Sequence, residues 1–98
     1  MTINTERNDN TISLIIEGRL DTTTAPTLEK TINELPSDVN ELILVMTSLE
    51  YISSAGLRVL LGAQKKMSKI GSMKLVNVCD AVMEVLEMTG FSDILTIE

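Results

Sequence analysis

The spacing of apolar residues changes period once, abruptly, between Glu41 and Ala63, and that change limits what the chain can fold into. Leu42, Ile43, Leu44, Val45 and Met46 form an unbroken apolar run bounded by polar residues. A run this short, with β-branched members, predicts a strand covered on both faces. From Leu57 onward the spacing is helical. Leu57, Leu60, Leu61 and Gln64 mark one side and Val59, Ala63 and Met67 another, which commits two sides of one helix to burial. Strand and helix are joined by a short polar turn ending in Ser53-Ser54-Ala55-Gly56, four small residues at the expected helix N-terminus. Small side chains there let a phosphate or another chain come close.

On either side of this unit the two periods alternate. Thr11 to Glu17 places Ile12, Leu14 and Ile16 on one face and Ile15 on the other, a strand pattern, with residues 2–7 as an edge strand before it. Gly18-Arg19-Leu20-Asp21 is expected to turn the chain. Ala25-Pro26 then opens a helix with Ala25, Leu28, Ile32 and Leu35 as its buried stripe, and Pro36 stops it. Gly71 closes the second helix, and Met73 to Val78 reads as another strand. Asp80 is the expected N-cap of a third helix facing inward through Val82, Val85, Leu86 and Thr89, and Gly90 ends it. Phe91, Ile94 and Leu95 are expected to fold back on the core, with Leu95 to Glu98 as a last short strand. The alternation predicts one α/β domain over residues 1–98. Its mixed sheet has four to five strands packed with helices, and right-handed crossovers join the parallel neighbours.

Composition removes several functions. With 98 residues and 44% hydrophobic content the chain can bury one core without staples. Eight Lys and Arg against 14 Asp and Glu give a net charge of −6, which lacks the basic footprint of a nucleic-acid binder. The single cysteine, Cys79, cannot form an internal disulfide and agrees with a reducing cytoplasm. No apolar run approaches the roughly 18 residues of a membrane span, and Met1 to Asn10 is polar, so a soluble, unexported, cytoplasmic protein is expected. The chain has no histidine, which rules out a Ser-His-Asp triad, and a lone cysteine supplies no redox pair. Neither Gly-x-Gly-x-x-Gly nor a Walker-type loop occurs. The carboxylates are scattered rather than convergent, so neither a metal nor a cofactor is expected.

The positive signal is Tyr51-Ile-Ser-Ser-Ala-Gly-Leu-Arg-Val-Leu-Leu61. It resembles the strand-turn-helix signature of the STAS domain, most closely that of the small bacterial anti-sigma factor antagonists. Gly18-Arg19-Leu20-Asp21 resembles that family's Gly-x-Leu/Ile-Asp segment, Leu42-Ile43-Leu44 its central strand and Gly71 to Val78 the strand after the helix. Asp80-Ala81-Val82 and Met88-Thr89-Gly90-Phe91 fall where the family has its last helix and exit. The resemblance implies an interaction module and not an enzyme. The implied partner is an anti-sigma factor that is also a serine-protein kinase, binding of which releases a sigma factor; a PP2C-type phosphatase is a further implied partner. In the family motif Asp-Ser-Ser/Thr/Ala-Gly-Leu the phosphorylated serine follows the Asp, which is Ser54 here. The implied partner-binding residues are Asp21, Thr22, Ser53, Ser54, Gly56, Arg58 and Gly62. Two positions depart from the pattern: Ser53 replaces Asp, and Val45 replaces the Asp or Asn common in the central strand. Both are expected to remove acidity from beside the acceptor.

Read on residues alone, the same positions have plainer roles: Ser53 or Ser54 is expected as an N-cap, Gly56 to permit close packing and Asp21 to brace the first helix, while Arg58, Gly62, Lys65 and Lys69 form either a plain solvent face or, equally, a partner surface that begins at the serines. An alternative within the same fold is a STAS subunit of a transport or signalling assembly that is never phosphorylated. An enzyme with Ser54 as nucleophile is disfavoured, because no histidine and no obvious lysine base stands in the motif.

Overall fold

In a computed structural model describing residues 1–98, strand β1 (Thr2–Asn8) runs antiparallel to β2 (Thr11–Leu20) through a tight turn at Asp9. β2 pairs in parallel with β3 (Glu41–Ile52), and β3 in parallel with β4 (Ser72–Val76), giving one mixed sheet of order β1-β2-β3-β4. Helix α1 (Ala25–Asn33) connects β2 to β3, and α2 (Ser54–Ile70) connects β3 to β4. Right-handed crossovers that step the same way across a sheet put both helices on one face. Helix α3 (Asp80–Met88) and a 3-10 turn (Phe91–Asp93) follow.

The core lies between the sheet and these helices. Ile12, Leu14 and Ile16 of β2, Leu42, Leu44 and Met46 of β3, and Met73 and Leu75 of β4 alternate inward. They form a single apolar cluster with Ala25, Leu28 and Ile32 of α1, Val59, Leu60, Ala63 and Met67 of α2, and Val82 and Leu86 of α3. On the other face Ile15, Ile43, Val45 and Val76 are only half-buried. The apolar run 42–46 is therefore covered fully on one face, not both, since both crossovers lie on the same side.

Further expectations are corrected. β3 does not end near Met46 in a polar turn; it continues to Ile52, with one extra residue opposite Ile16 and another between its pairings with Gly18 and Arg19. These bulges bring Met46, Leu49 and Ile52 inward at intervals of three, which conceals the two-residue period of a strand. Gly18-Arg19-Leu20 likewise extends β2 instead of turning the chain, and Gly18 has a φ of 102° beside the second irregularity, a value that suits glycine. In the last quarter, Cys79 and not Asp80 is the N-cap of α3, Thr89 is exposed, and Ile94 is 51% exposed while Leu95 is buried. The final residues make one bridge, Leu75 with Ile97, and no fifth strand.

Candidate functional site

The parallel strands β2 and β3 end at the same edge of the sheet, and this places two loops side by side. The Ser53 amide donates to the Leu20 carbonyl at 2.9 Å, so Asp21 and Ser53 leave the sheet together. Ser53 is extended (φ −100°, ψ 176°) and caps α2: its Oγ accepts from the Gly56 amide at 3.4 Å, and its carbonyl accepts from Leu57 at 2.9 Å. Gly56 is buried, where a Cβ would lie 2.7 Å from Leu20 Cγ and 2.9 Å from Ile52 Cγ1. It lets the helix begin directly on the two strand ends, from beneath the surface. Ser54 is the first residue of α2, exposed, and its hydroxyl makes no hydrogen bond within the chain. Capping and the free hydroxyl therefore belong to different serines, a division the sequence left open.

Asp21 braces the neighbouring loop. Its Oδ1 accepts from the Thr23 and Thr24 amides at 3.0 and 3.1 Å and from Thr24 Oγ1 at 3.3 Å. The Asp21 amide donates back to Thr24 Oγ1 at 2.9 Å, and the single proton of that hydroxyl is shared between Asp21 Oδ1 and the nearer Arg19 carbonyl at 2.8 Å. The amide of Thr24 is the chief cause that holds the Asp21 carboxyl below its ordinary pKa; the Thr23 amide, the Thr24 hydroxyl and Arg19 act in the same direction, against some desolvation. Thr22, Pro26 and Glu29 meet Ala55, Arg58 and Val59 around a surface depression of about 250 Å³, so Thr22 and Arg58 share one site. Gly62 lies further along α2, over a smaller hollow.

Sequence reasoning missed one pair at this edge. The Arg19 guanidinium lies 4.1 Å from the centre of the Tyr51 ring, with Asp21 Oδ2 4.0 Å from its Nε. The register that joins Arg19 to Tyr51 exists only because of the bulge at Glu50, which no periodicity reveals. Val45, by contrast, does not stand beside Ser54. It pairs with Ile15 and Val76 in the middle of the sheet, roughly 20 Å of strand away. No three His, Cys, Asp or Glu side chains converge as a metal site would need. With no base hydrogen-bonded to Ser54, the arrangement suits presentation of a hydroxyl to another molecule.

Comparison with known proteins assigns the family and the fold. The STAS domain family matches residues 2–98. The chain belongs to the STAS domain family. An anti-sigma-B factor antagonist of Bacillus subtilis is 30% identical to this STAS domain over 96 residues, covering 97% of this chain and 88% of that protein. The crystal structure of an anti-sigma factor antagonist from Mycobacterium paratuberculosis superposes with a TM-score of 0.88 at 25% identity, over 98% of this chain and 83% of the other. The phosphorylated form of the Bacillus cell fate determinant SpoIIAA shares the fold, with a TM-score of 0.77 at 18% identity, 99% of this chain and 91% of that one. No helix of this STAS domain is long and apolar enough to cross a membrane.

Proposed function

We propose that this STAS domain is an anti-sigma factor antagonist: it binds an anti-sigma factor of the serine-kinase type and so releases a sigma factor. The binding face comprises Asp21, Thr22, Ser53, Ser54, Arg58 and Gly62, with Gly56 acting from beneath. Phosphorylation of Ser54 by the partner kinase turns binding off, and a phosphatase of the PP2C type restores it. The observation that carries this reading is the exposed, unbonded Ser54 hydroxyl at the start of α2, released from capping duty by Ser53. Relatives named as anti-sigma factor antagonists support it.

The sign of the switch follows from two opposed effects. In the free domain a phosphate at a helix N-terminus is favoured by roughly 0.3–1 kcal/mol, so the fold tolerates it. Against a partner surface shaped for a hydroxyl, the same dianion must be desolvated, which costs several kcal/mol when it is unpaired. A tenfold loss of affinity needs only about 1.4 kcal/mol.

The test is calorimetric titration of the purified anti-sigma factor of the same bacterium with wild type, Ser54→Asp and Ser54→Ala. Ser54→Ala binds and resists the kinase; Ser54→Asp binds at least about tenfold more weakly with a near-normal thermal midpoint. Equal affinities for the two variants would sink the switch. Binding with no phosphate ever found on Ser54 by mass spectrometry favours instead the unphosphorylated assembly subunit. The isolated domain is expected to show no turnover; a hydrolase or transferase activity that survives repurification and is lost in Ser54→Ala contradicts the proposal.

A further inference from the structure

Ser54, Arg58, Gly62, Lys65 and Lys69 are all exposed and succeed one another at intervals of three or four, so they form one outward stripe along the length of α2. α2 contains Arg58, Lys65, Lys66 and Lys69 and no carboxylate, half of the cations in a chain of net charge −6. Lys66 is engaged inside the fold, its Nζ donating to the Ile32 carbonyl at 2.9 Å near the end of α1. Arg58, Lys65 and Lys69 have no carboxylate within 4.0 Å; the three ion pairs of the molecule lie elsewhere. The stripe therefore carries three cations without an ion pair, and the nearest carboxylate lining its hollows is Glu29.

Gly62 interrupts these cations in the middle of the helix, where glycine lowers helix stability relative to alanine. A Cβ at this position would meet nothing within 4 Å, so no packing inside the molecule calls for glycine. Beside it, towards α1, lies a hollow of about 100 Å³ lined by Ile32, Val59 and Ala63 together with the polar Glu29, Asn33 and Lys66. That is smaller than the roughly 150 Å³ that admits a benzene ring, and it suits a single aliphatic side chain.

We infer that this stripe docks an acidic helix of the anti-sigma factor, whose backbone passes close over Gly62 and seats one aliphatic side chain in the hollow. The three unpaired cations favour an acidic partner, and the missing Cβ leaves room for its close approach. The inference rests on the binding face proposed above and adds the chemistry of what binds there. It also supplies a second reason for the switch. A phosphate on Ser54 puts about −1.5 to −2 charges at the head of a stripe that attracts carboxylates, four residues from Arg58, which it can pair with in place of the partner.

The experiment titrates the purified anti-sigma factor with wild type, Gly62→Ala, the double variant Lys65→Glu/Lys69→Glu, and Ser54→Asp as reference, at about 50 mM and about 500 mM salt. Gly62→Ala raises the thermal midpoint by about 4–8 °C yet weakens binding about tenfold, opposite signs that a structural glycine cannot give. The double variant keeps its midpoint, binds about tenfold more weakly at low salt, and loses most of the salt dependence shown by wild type. Wild-type affinity in both variants, with binding abolished in Ser54→Asp, overturns this inference and leaves the proposed function standing. Failure of wild type to bind at all removes both. A lower midpoint for Gly62→Ala makes the glycine structural and also overturns it. Self-association in sedimentation that the double variant abolishes assigns the stripe to a second copy of this chain, and equally overturns it.

Discussion

At the scale of single residues, two polar side chains define what the fold tolerates. Gln64 falls on the apolar side of α2, as its spacing from Leu57 and Leu60 foretells, and its Oε1 is buried without a hydrogen-bond partner. An unmet buried acceptor costs about 1–3 kcal/mol, so Gln64→Met, which keeps the length and removes the polar atoms, should raise stability by about 1 kcal/mol. A melt showing an unchanged or lower midpoint refutes this. Asp21 is the other. Its pKa is lowered in the folded state from an ordinary 3.8, chiefly by the Thr24 amide. A depressed carboxylate contributes stability above its unfolded pKa and loses it as pH falls through the folded value. The midpoint difference between wild type and Asp21→Asn should therefore be full at neutral pH and close only below about pH 3.8; a difference independent of pH would show that charge has no part. The sequence suggested that Asp21 braces the first helix. It could not show the three hydrogen bonds exchanged with Thr24, which depend on loop conformation.

At the scale of elements, the junction of β3 and α2 carries the strictest requirement in the chain. Gly56→Ala places a methyl within 3 Å of Leu20 and Ile52, both buried, and should cost about 1–3 kcal/mol, lowering the midpoint markedly. Ser53→Ala removes only a cap and should cost about 1 kcal/mol. Chemical denaturation of both orders them; if Ser53→Ala proves the worse, the helix start is held by its cap and not by its packing. The four small residues at this junction were legible as a helix entry because period and residue size changed together. The length of β3 was not. Its bulges space Met46, Leu49 and Ile52 by three, which imitates neither a strand nor a turn, and so the extended segment between them read as polar loop. α1, α2 and α3 were found from their apolar stripes, while the cap of α3 was displaced by one residue because Asp80 is a better capping type than Cys79, which the fold uses.

At the scale of the whole molecule, alternating periods were enough to give the layered α/β arrangement and its parallel crossovers. Which face of the sheet stays open was hidden, since Ile15, Ile43, Val45 and Val76 are as apolar as their covered neighbours. The same crossovers decide the site: parallel strands must end together, so the loops bearing Asp21 and Ser54 meet although they are far apart in sequence. A sheet also has two rims, and the two here are protected differently. β1 presents a polar rim, TINTERN. β4 is guarded by the last residues, where Leu75 donates to the Thr96 carbonyl at 2.9 Å and accepts from the Glu98 amide at 2.8 Å. Those few bonds occupy the main-chain groups through which a foreign strand would attach to β4. Residues 96–98 thus cover this rim of the sheet, at a distance from Ser54. Removing Thr96, Ile97 and Glu98 should lower the midpoint, since Ile97 packs on the core, and let the protein associate as its concentration rises while still folded, which light scattering would detect; a truncated protein that stays monodisperse would locate that protection in the short length of β4 itself.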